Sequence, residues 1–375
     1  MRRYQSGLVF FLAIITLTLS VPLYFDGVIP QRQASAQQEA GSAEGLAVSA
    51  DRLRALVEVQ RNNEPDLFKI PGVVGVGIGL AGRGGDLGIH VYLDEGNPRA
   101  SVTALPQRVD GVPVRVLQTD EIKALDGPPG NNHRLNNAVP VPMGVSTSNV
   151  NGIFAGTLGF RVFRIGQTST VGYITNNHVA AANGLNLCPL QVNPQRLPAF
   201  GVDQCQPGRL DAAGNSCTPP VIGDLVQAVP IVMGQLFHNT VDAAFVQSSR
   251  TLVNKTILDI GNPSPTTIEP AIGATVRKSG RTTGLTTGTI NTINTTVNVN
   301  YGTGCGVARF VGQIIITPGT FSAAGDSGSP ILRNVLDSAG RRRPVGLLFA
   351  GSSTITVGNR IGDVLGALHA QIDTL

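Results

Sequence analysis

From Gly144 to the C-terminus the chain never sustains one long apolar run. "GTLGFRVFRI", "TVGYIT", "DAAFVQ", "TTGTINTINTTVNVNY", "FVGQIIIT" and "PVGLLFAG" are separated by glycine, proline and asparagine turns. Short β-type runs at close spacing predict an antiparallel barrel or sandwich rather than a helical bundle. The 46 Gly, 24 Pro and only 14% charged residues of the chain suit the same architecture. One helix is expected at the end, where Ile361, Val364, Leu365 and Leu368 of "GNRIGDVLGALHAQI" form a single apolar stripe.

Residues 45–125 read as a separate small α/β domain. "SADRLRALVEVQRN" puts Leu53, Leu56 and Val57 on one helical face, with Asp51 in the first turn. "VVGVGIGL" alternates apolar side chains with Gly75, Gly77 and Gly79, so one strand face is bare and a neighbour can approach closely. "LGIHVYL" and "VPVRVLQT" are further strands, the second entered through Asp110-Gly111. Gly77 to Gly82 matches the dinucleotide fingerprint as text. That motif needs its glycines to lead into a helix whose N-terminus holds a pyrophosphate, whereas here they lie inside the strand pattern. Residues 126–142 lose all periodicity and read as a linker into a domain over 143–375.

The N-terminus has the features of an export signal over residues 1–36: Arg2 and Arg3, an apolar stretch, then "ASA" at Ala34–Ala36. An uncleaved membrane anchor through residues 7–24 is the alternative. Cys188, Cys205, Cys217 and Cys305 are even in number and contain no C-x-x-C pair. In an exported chain they imply two disulfides, with three connectivities open, rather than a metal site. The net charge is +4, too small for an electrostatic nucleic-acid footprint. The cluster Arg341–Arg343 reads as a solvated turn.

The chemistry is concentrated in three segments. "GDSGSP", Gly325 to Pro330, sets Ser327 between glycines, in a bend that exposes a hydroxyl and can aim the N–H groups of Gly325 and Ser327 at one point. Acyl transfer needs such an oxyanion hole. Serine is a poor nucleophile until a base takes its proton, a role for His178 of "YITNNHVA". The imidazole in turn needs a carboxylate to fix its tautomer. Asp242 of "NTVDAAFVQ" is the favoured acid and Asp224 of "VIGDLVQAV" its rival. His90, His133, His238 and His369 have no comparable setting.

With the order His, Asp, Ser, and with "KSGRTTGLTTGTI" at Lys278–Ile290, the chain from Gly144 onward resembles the chymotrypsin-fold serine proteases. It is especially similar to the bacterial branch of alpha-lytic and streptomycete proteases. The resemblance implies a mainly β fold, two six-stranded barrels with the triad between them. It implies an ion pair between Arg281 and Asp326, which orders the oxyanion loop. It also implies a specificity pocket at Phe321, Leu348 and Gly351. No acid stands at Phe321, so an apolar residue before the scissile bond is expected. In two places the sequence departs from the family: "GDSGS" replaces "GDSGG", and Phe349 falls where a serine usually supports the His–Asp pair. Segments like 45–125 serve relatives as pro-regions; a permanent recognition module is the alternative.

The function expected is therefore an exported serine endopeptidase acting on protein or peptide substrates, with no cofactor and no metal. Two other readings compete with it. One is a catalytically silent exported binding protein on the same scaffold. The other is an esterase, for which "GDSGS" lacks the strand–turn–helix of the nucleophile elbow.

Overall fold

A computed structural model describes residues 45–82, 85–124, 132–182, 188–189, 191, 201–217 and 221–375. The expected export signal over 1–36, its alternative as an anchor through 7–24, and residues 126–131 of the linker lie outside these. The described residues form one compact unit.

The N-terminal segment begins with α1 (Ala50–Leu67), capped by Ser49, whose hydroxyl accepts from the Arg52 N–H. The helix runs past the expected stretch and buries Leu56, Gln60 and Leu67. β1 (Val73–Leu80), β2 (Leu87–Asp94), β3 (Arg108–Val109) and β4 (Val112–Thr119) follow, then the two-residue β5 (Lys123–Ala124). Asp110 and Gly111 both have positive φ, the requirement of the tight turn between β3 and β4. The glycine face of β1 is used as its sequence suggests. A Cβ at Gly79 would stand 2.2 Å from the His90 ring, and one at Gly77 would stand 2.6 Å from Thr292. β1 leads into an antiparallel pairing with β2 and not into a helix, so the fingerprint-like glycines do not cradle a pyrophosphate.

The next strands are β6 (Val141–Met143), β7 (Ser146–Asn149), β8 (Gly156–Thr157), β9 (Arg161–Arg164) and β10 (Gln167–Thr175), followed by the short helix α2 (Asn177–Ala180). Then come β11 (Asp203–Cys205), β12 (Gly223–Ala228), β13 (Gly234–Asn239), β14 (Ala244–Gln247) and β15 (Val253–Ile257). The third group is β16 (Thr275–Gly280), β17 (Gly284–Asn300), β18 (Val307–Thr317), β19 (Pro330–Leu336), β20 (Arg342–Gly351) and β21 (Thr356–Arg360). The chain ends with α3 (Ile361–Ala367) and β22 (Ala370–Ile372).

β16 to β21 close on themselves in the order β16-β17-β18-β21-β20-β19, a six-stranded barrel. Its interior is apolar: Val276, Ile290, Ile314, Ile316, Ile331 and Val345 are fully buried. The other curled sheet has eight strands, β22-β9-β10-β14-β12-β11-β7-β8, rather than the six expected. One of the two additional strands, β22, comes from the C-terminus. The architecture is mainly β, with the expected helix at the end. Ile361, Val364 and Leu368 of its stripe are at most 1% exposed, against Tyr173, Phe245 and their neighbours in the eight-stranded sheet.

β17 outruns its barrel neighbour. Its first part pairs with β16, while Thr292–Val297 pair with Gly75–Gly79 of β1, so the N-terminal strands extend the barrel's own sheet. β5 pairs antiparallel with β20, Ala124 opposite Ala350 and Lys123 opposite Gly351.

Candidate active site

His178 sits on α2, immediately after β10, and Asp242 precedes β14, the strand paired with β10. That pairing brings the two together across 64 residues of sequence. His178 Nδ1 lies 2.6 Å from Asp242 Oδ2, and the His178 N–H donates to Oδ1 at 3.2 Å. Asp242 is completely buried and His178 is 5% exposed. With a buried carboxylate as its neighbour, Nδ1 carries the proton, which leaves Nε2 as the basic nitrogen. The backbone of Asp242 is fixed as well. Its carbonyl accepts from Asn176 Nδ2 at 2.7 Å, and its N–H donates to Asn359 Oδ1 at 3.1 Å.

Ser327 lies in the turn before β19. Its carbonyl accepts from the Thr157 N–H at 2.7 Å, and its Oγ donates to the Phe349 carbonyl at 3.3 Å. Gly325 and Gly328 flank it with φ of +94° and +92°, in the left-handed region that a side chain resists. Space is equally tight. A Cβ at Gly325 would stand 2.3 Å from Arg281 Nη1, and one at Gly328 would stand 2.2 Å from the Thr157 carbonyl. The histidine and serine elements meet at β8: a Cβ on Gly156 would touch both Val179, at 2.5 Å, and the Ser327 carbonyl, at 3.0 Å.

The expected ion pair is corrected by the structure. Arg281 grips Asp211, through Nε to Oδ2 and Nη2 to Oδ1, each at 2.7 Å, both side chains being buried. Asp211 lies in the loop closed by the Cys205–Cys217 disulfide, and that loop reaches Arg281 with a two-oxygen face matching the guanidinium fork. Asp326 is held by the turn after β16 instead. Thr282 and Thr283 N–H groups donate at 2.7 and 3.1 Å, Thr283 Oγ1 at 2.7 Å and Ala323 N–H at 3.0 Å. Its cation is Lys278, 3.6 Å away. Burial pushes the Lys278 ammonium below its ordinary pKa, partly offset by the Asp326 charge. Arg281 still reaches the serine loop, because its N–H donates to Thr157 Oγ1, which donates to the Gly325 carbonyl.

Phe321 and Leu348 share one buried cluster with Ile290, Ile316 and Ile331, and each is at most 1% exposed. The two come together in the apolar core of the barrel, and neither presents a surface to solvent. Gly351 faces Lys123 of β5. Asp224, the rival acid, is exposed on β12 beside Asp203, and burial together with that neighbour raises its pKa. His238 and His369 are exposed. His133 is buried between the Gly144 carbonyl and Asp259. His90 bridges Leu80 and Thr292, far from the triad in sequence, and burial lowers its pKa to about 4.

Sequence reasoning missed two groups. Asp211 is one; Tyr301 is the other, its hydroxyl donating to Asp242 Oδ2 at 2.8 Å. Burial first, and then the Asp242 charge, hold the Tyr301 phenol well above its ordinary pKa, so it remains a donor. The second disulfide, Cys188–Cys305, closes beside it. Among the described residues no group of three or more His, Cys, Asp or Glu is placed to hold a metal ion.

The profile of the Nal1 C-terminal domain family matches residues 237–360, and no curated protein matches the chain. Among solved structures, Thermobifida fusca Protease A is 20% identical, with a TM-score of 0.41 over 63% of this chain and 99% of its own. A Cellulomonas bogoriensis chymotrypsin is 20% identical, with a TM-score of 0.39 over 63% of this chain and 99% of its own. Nocardiopsis protease is 17% identical, with a TM-score of 0.39 over 62% and 99%. These similar structures are bacterial proteases; the chemistry of this chain is argued from its own side chains.

Proposed function

We propose that this chain is an exported serine endopeptidase of the chymotrypsin type, made in a latent form. The observation that carries the reading is the buried His178–Asp242 contact of 2.6 Å, packed through β8 against a serine in a glycine bend. In the reaction, His178 Nε2 takes the Ser327 Oγ proton as Oγ bonds to the scissile carbonyl carbon. The N–H groups of Gly325 and Ser327 receive the oxyanion. The imidazolium, stabilised by Asp242, returns that proton to the leaving amine, and water repeats the cycle on the acyl-enzyme. The apolar character of Phe321, where an acid would be needed to hold a Lys or Arg, supports an apolar residue before the cleaved bond. Two disulfides and the N-terminal sequence support export.

Latency is supported by the N-terminal segment. The Phe349 carbonyl lies 3.3 Å from Ser327 Oγ, and the next two residues of β20 are paired with Ala124 and Lys123. An extended peptide adding to that edge beside Ser327 would have to displace β5. Ser327 is also fully buried. The segment is then a pro-region in its effect, although β1 binds it to the barrel.

Active-site labelling tests both parts. A fluorophosphonate is expected to label only a species cut between β5 and β6, and Ser327→Ala is expected to abolish the label. Failure of every species to label would leave the silent-scaffold reading standing. Equal labelling of the intact chain would remove the latency.

A further inference from the structure

We infer that Tyr301 is the positioning residue of the His178–Asp242 pair, replacing by its phenol the hydroxyl that a serine at Phe349 would otherwise supply. The inference rests on the proteolytic reading above and adds to it a residue that neither the motif pattern nor the resemblance points to. Asp242 Oδ2 has two donors, His178 Nδ1 at 2.6 Å and the Tyr301 hydroxyl at 2.8 Å, while Oδ1 accepts the His178 N–H at 3.2 Å. Turning the carboxylate breaks all of these at once. Among the described residues His178 is the only ionisable base paired with Asp242. Its remaining side-chain partners, Asn176 and Asn359, are neutral amides on the Asp242 backbone.

Tyr301 is well placed for this task. It directly follows β17, and its N–H donates to the Gly306 carbonyl at 3.0 Å, closing a tight loop whose Cys305 is bonded to Cys188. Its ring meets the His178 ring edge-on, centroids 5.9 Å apart at 68°. On the other side it leans on Phe310 at 6.2 Å, and Phe310 leans on Phe349 at 4.9 Å. Phe349 therefore packs the stack that aims the phenol, and the hydroxyl function has moved from β20 to the residue after β17. A second donor on Oδ2 also drains charge from the oxygen that receives the imidazole proton. That sets how strongly Asp242 holds the imidazolium.

Tyr301→Phe keeps the ring stack and removes only the hydroxyl. In the full-length chain, NMR titration of His178 is expected to show a pKa raised by about one unit. The Nδ1–H proton resonance is expected to shift with it. In the cut, label-competent species, assayed without the probe, kcat falls roughly 10- to 100-fold with KM kept, the size of one hydrogen bond to a charged group. With Asp242→Asn already in place, Tyr301→Phe is expected to add nothing. An unchanged titration and resonance in Tyr301→Phe overturns the inference, as does a loss of equal size on the Asp242→Asn background. If His178 shifts as expected while no species reacts with fluorophosphonate, the coupling stands and the proteolytic reading falls.

Discussion

Asp211→Ala takes one carboxylate away from a guanidinium 70 residues distant in sequence. Arg281 has a side chain with no solvent exposure, and that of Asp211 is 1% exposed, so no water is at hand to replace the lost partner. A guanidinium cannot shed its proton in a protein. It stays charged and buried, which costs about 3–5 kcal/mol when one member of such a pair is deleted. Ser146 Oγ also donates to Asp211 Oδ2, at 2.6 Å, and loses its acceptor at the same time. For a unit of this size, Tm moves by about 2 °C per kcal/mol, so a fall of about 6–10 °C is expected in a thermal melt. The damage is also local, since Arg281 Nη1 stands where a Gly325 side chain would be and its N–H chain runs through Thr157 to the Gly325 carbonyl. Fluorophosphonate labelling of the active species is therefore expected to slow along with the loss of Tm. Adding Arg281→Leu removes the stranded charge and is expected to recover part of the melting temperature, because deleting both partners is cheaper than deleting one. A single variant that melts within about 2 °C of the parent and labels at the same rate would refute the buried-pair argument.

Replacing Cys205 and Cys217 together by serine opens a loop of sequence separation 12. It is expected to cost about 3 kcal/mol and to loosen Asp211, read as a lowered Tm and a smaller further fall on adding reductant, since only Cys188–Cys305 is then left to reduce. His90 is buried neutral, with its pKa lowered to about 4, against 6.5 in an unfolded chain. Its contribution is therefore whole above pH 6.5 and is lost as pH falls toward 4, by about 3 kcal/mol. Urea titrations at pH 7 and pH 4 should show that loss in the parent and less of it in His90→Gln. Gly325→Ala forces a side chain into φ +94° and onto Arg281, so labelling of Ser327 is expected to vanish while the chain stays folded by circular dichroism.

What the sequence discloses about this molecule is what is encoded locally. The turn-punctuated β runs give the class of fold, because period and turn chemistry are properties of a few adjacent residues. His178, Asp242 and Ser327 stand out because each is the polar residue at the edge of a short apolar or glycine-rich stretch. The glycine face of β1 announces a close neighbour in the same way. The neighbour itself, β17, does not show, because the pairing joins positions some 220 residues apart and antiparallel strands carry no address. Tyr301 is hidden for a similar reason: its partner is 59 residues away and "NVNYG" looks like a strand end. The partner of Arg281 is the instructive miss. Asp326 lies in the serine loop and Asp211 reaches it, and only the folding of the Cys205–Cys217 loop decides which carboxylate meets the fork and which is left to Lys278 and the donors of the turn after β16.

The same long-range pairing limits how the N-terminal segment can act. As a detachable domain it would need its own closed surface, yet β1 gives one edge to β17 and the helix above it does likewise. Gln60 Nε2 on α1 donates to the Asn294 carbonyl at 2.9 Å, and Thr296 Oγ1 donates to Glu64 at 2.9 Å. Ile272 and Ile293, from the barrel side, complete the segment's apolar cluster around Val76, Ile78 and Ile89. Pulling the whole segment away would expose the edge of the longest strand in the fold and part of that cluster, a surface prone to pairing with other chains. β5 is different. It contributes two residues, and its partners on β20 are the ones beside Ser327. A cut in the chain after β5 leaves that strand held by its pairs to β20 and to Asn300 of β17, few enough for it to peel away while β1 to β4 keep their contacts. On the proposed latency, local release of β5, with the rest of the segment retained as part of the barrel, exposes less apolar surface than removal of the whole segment.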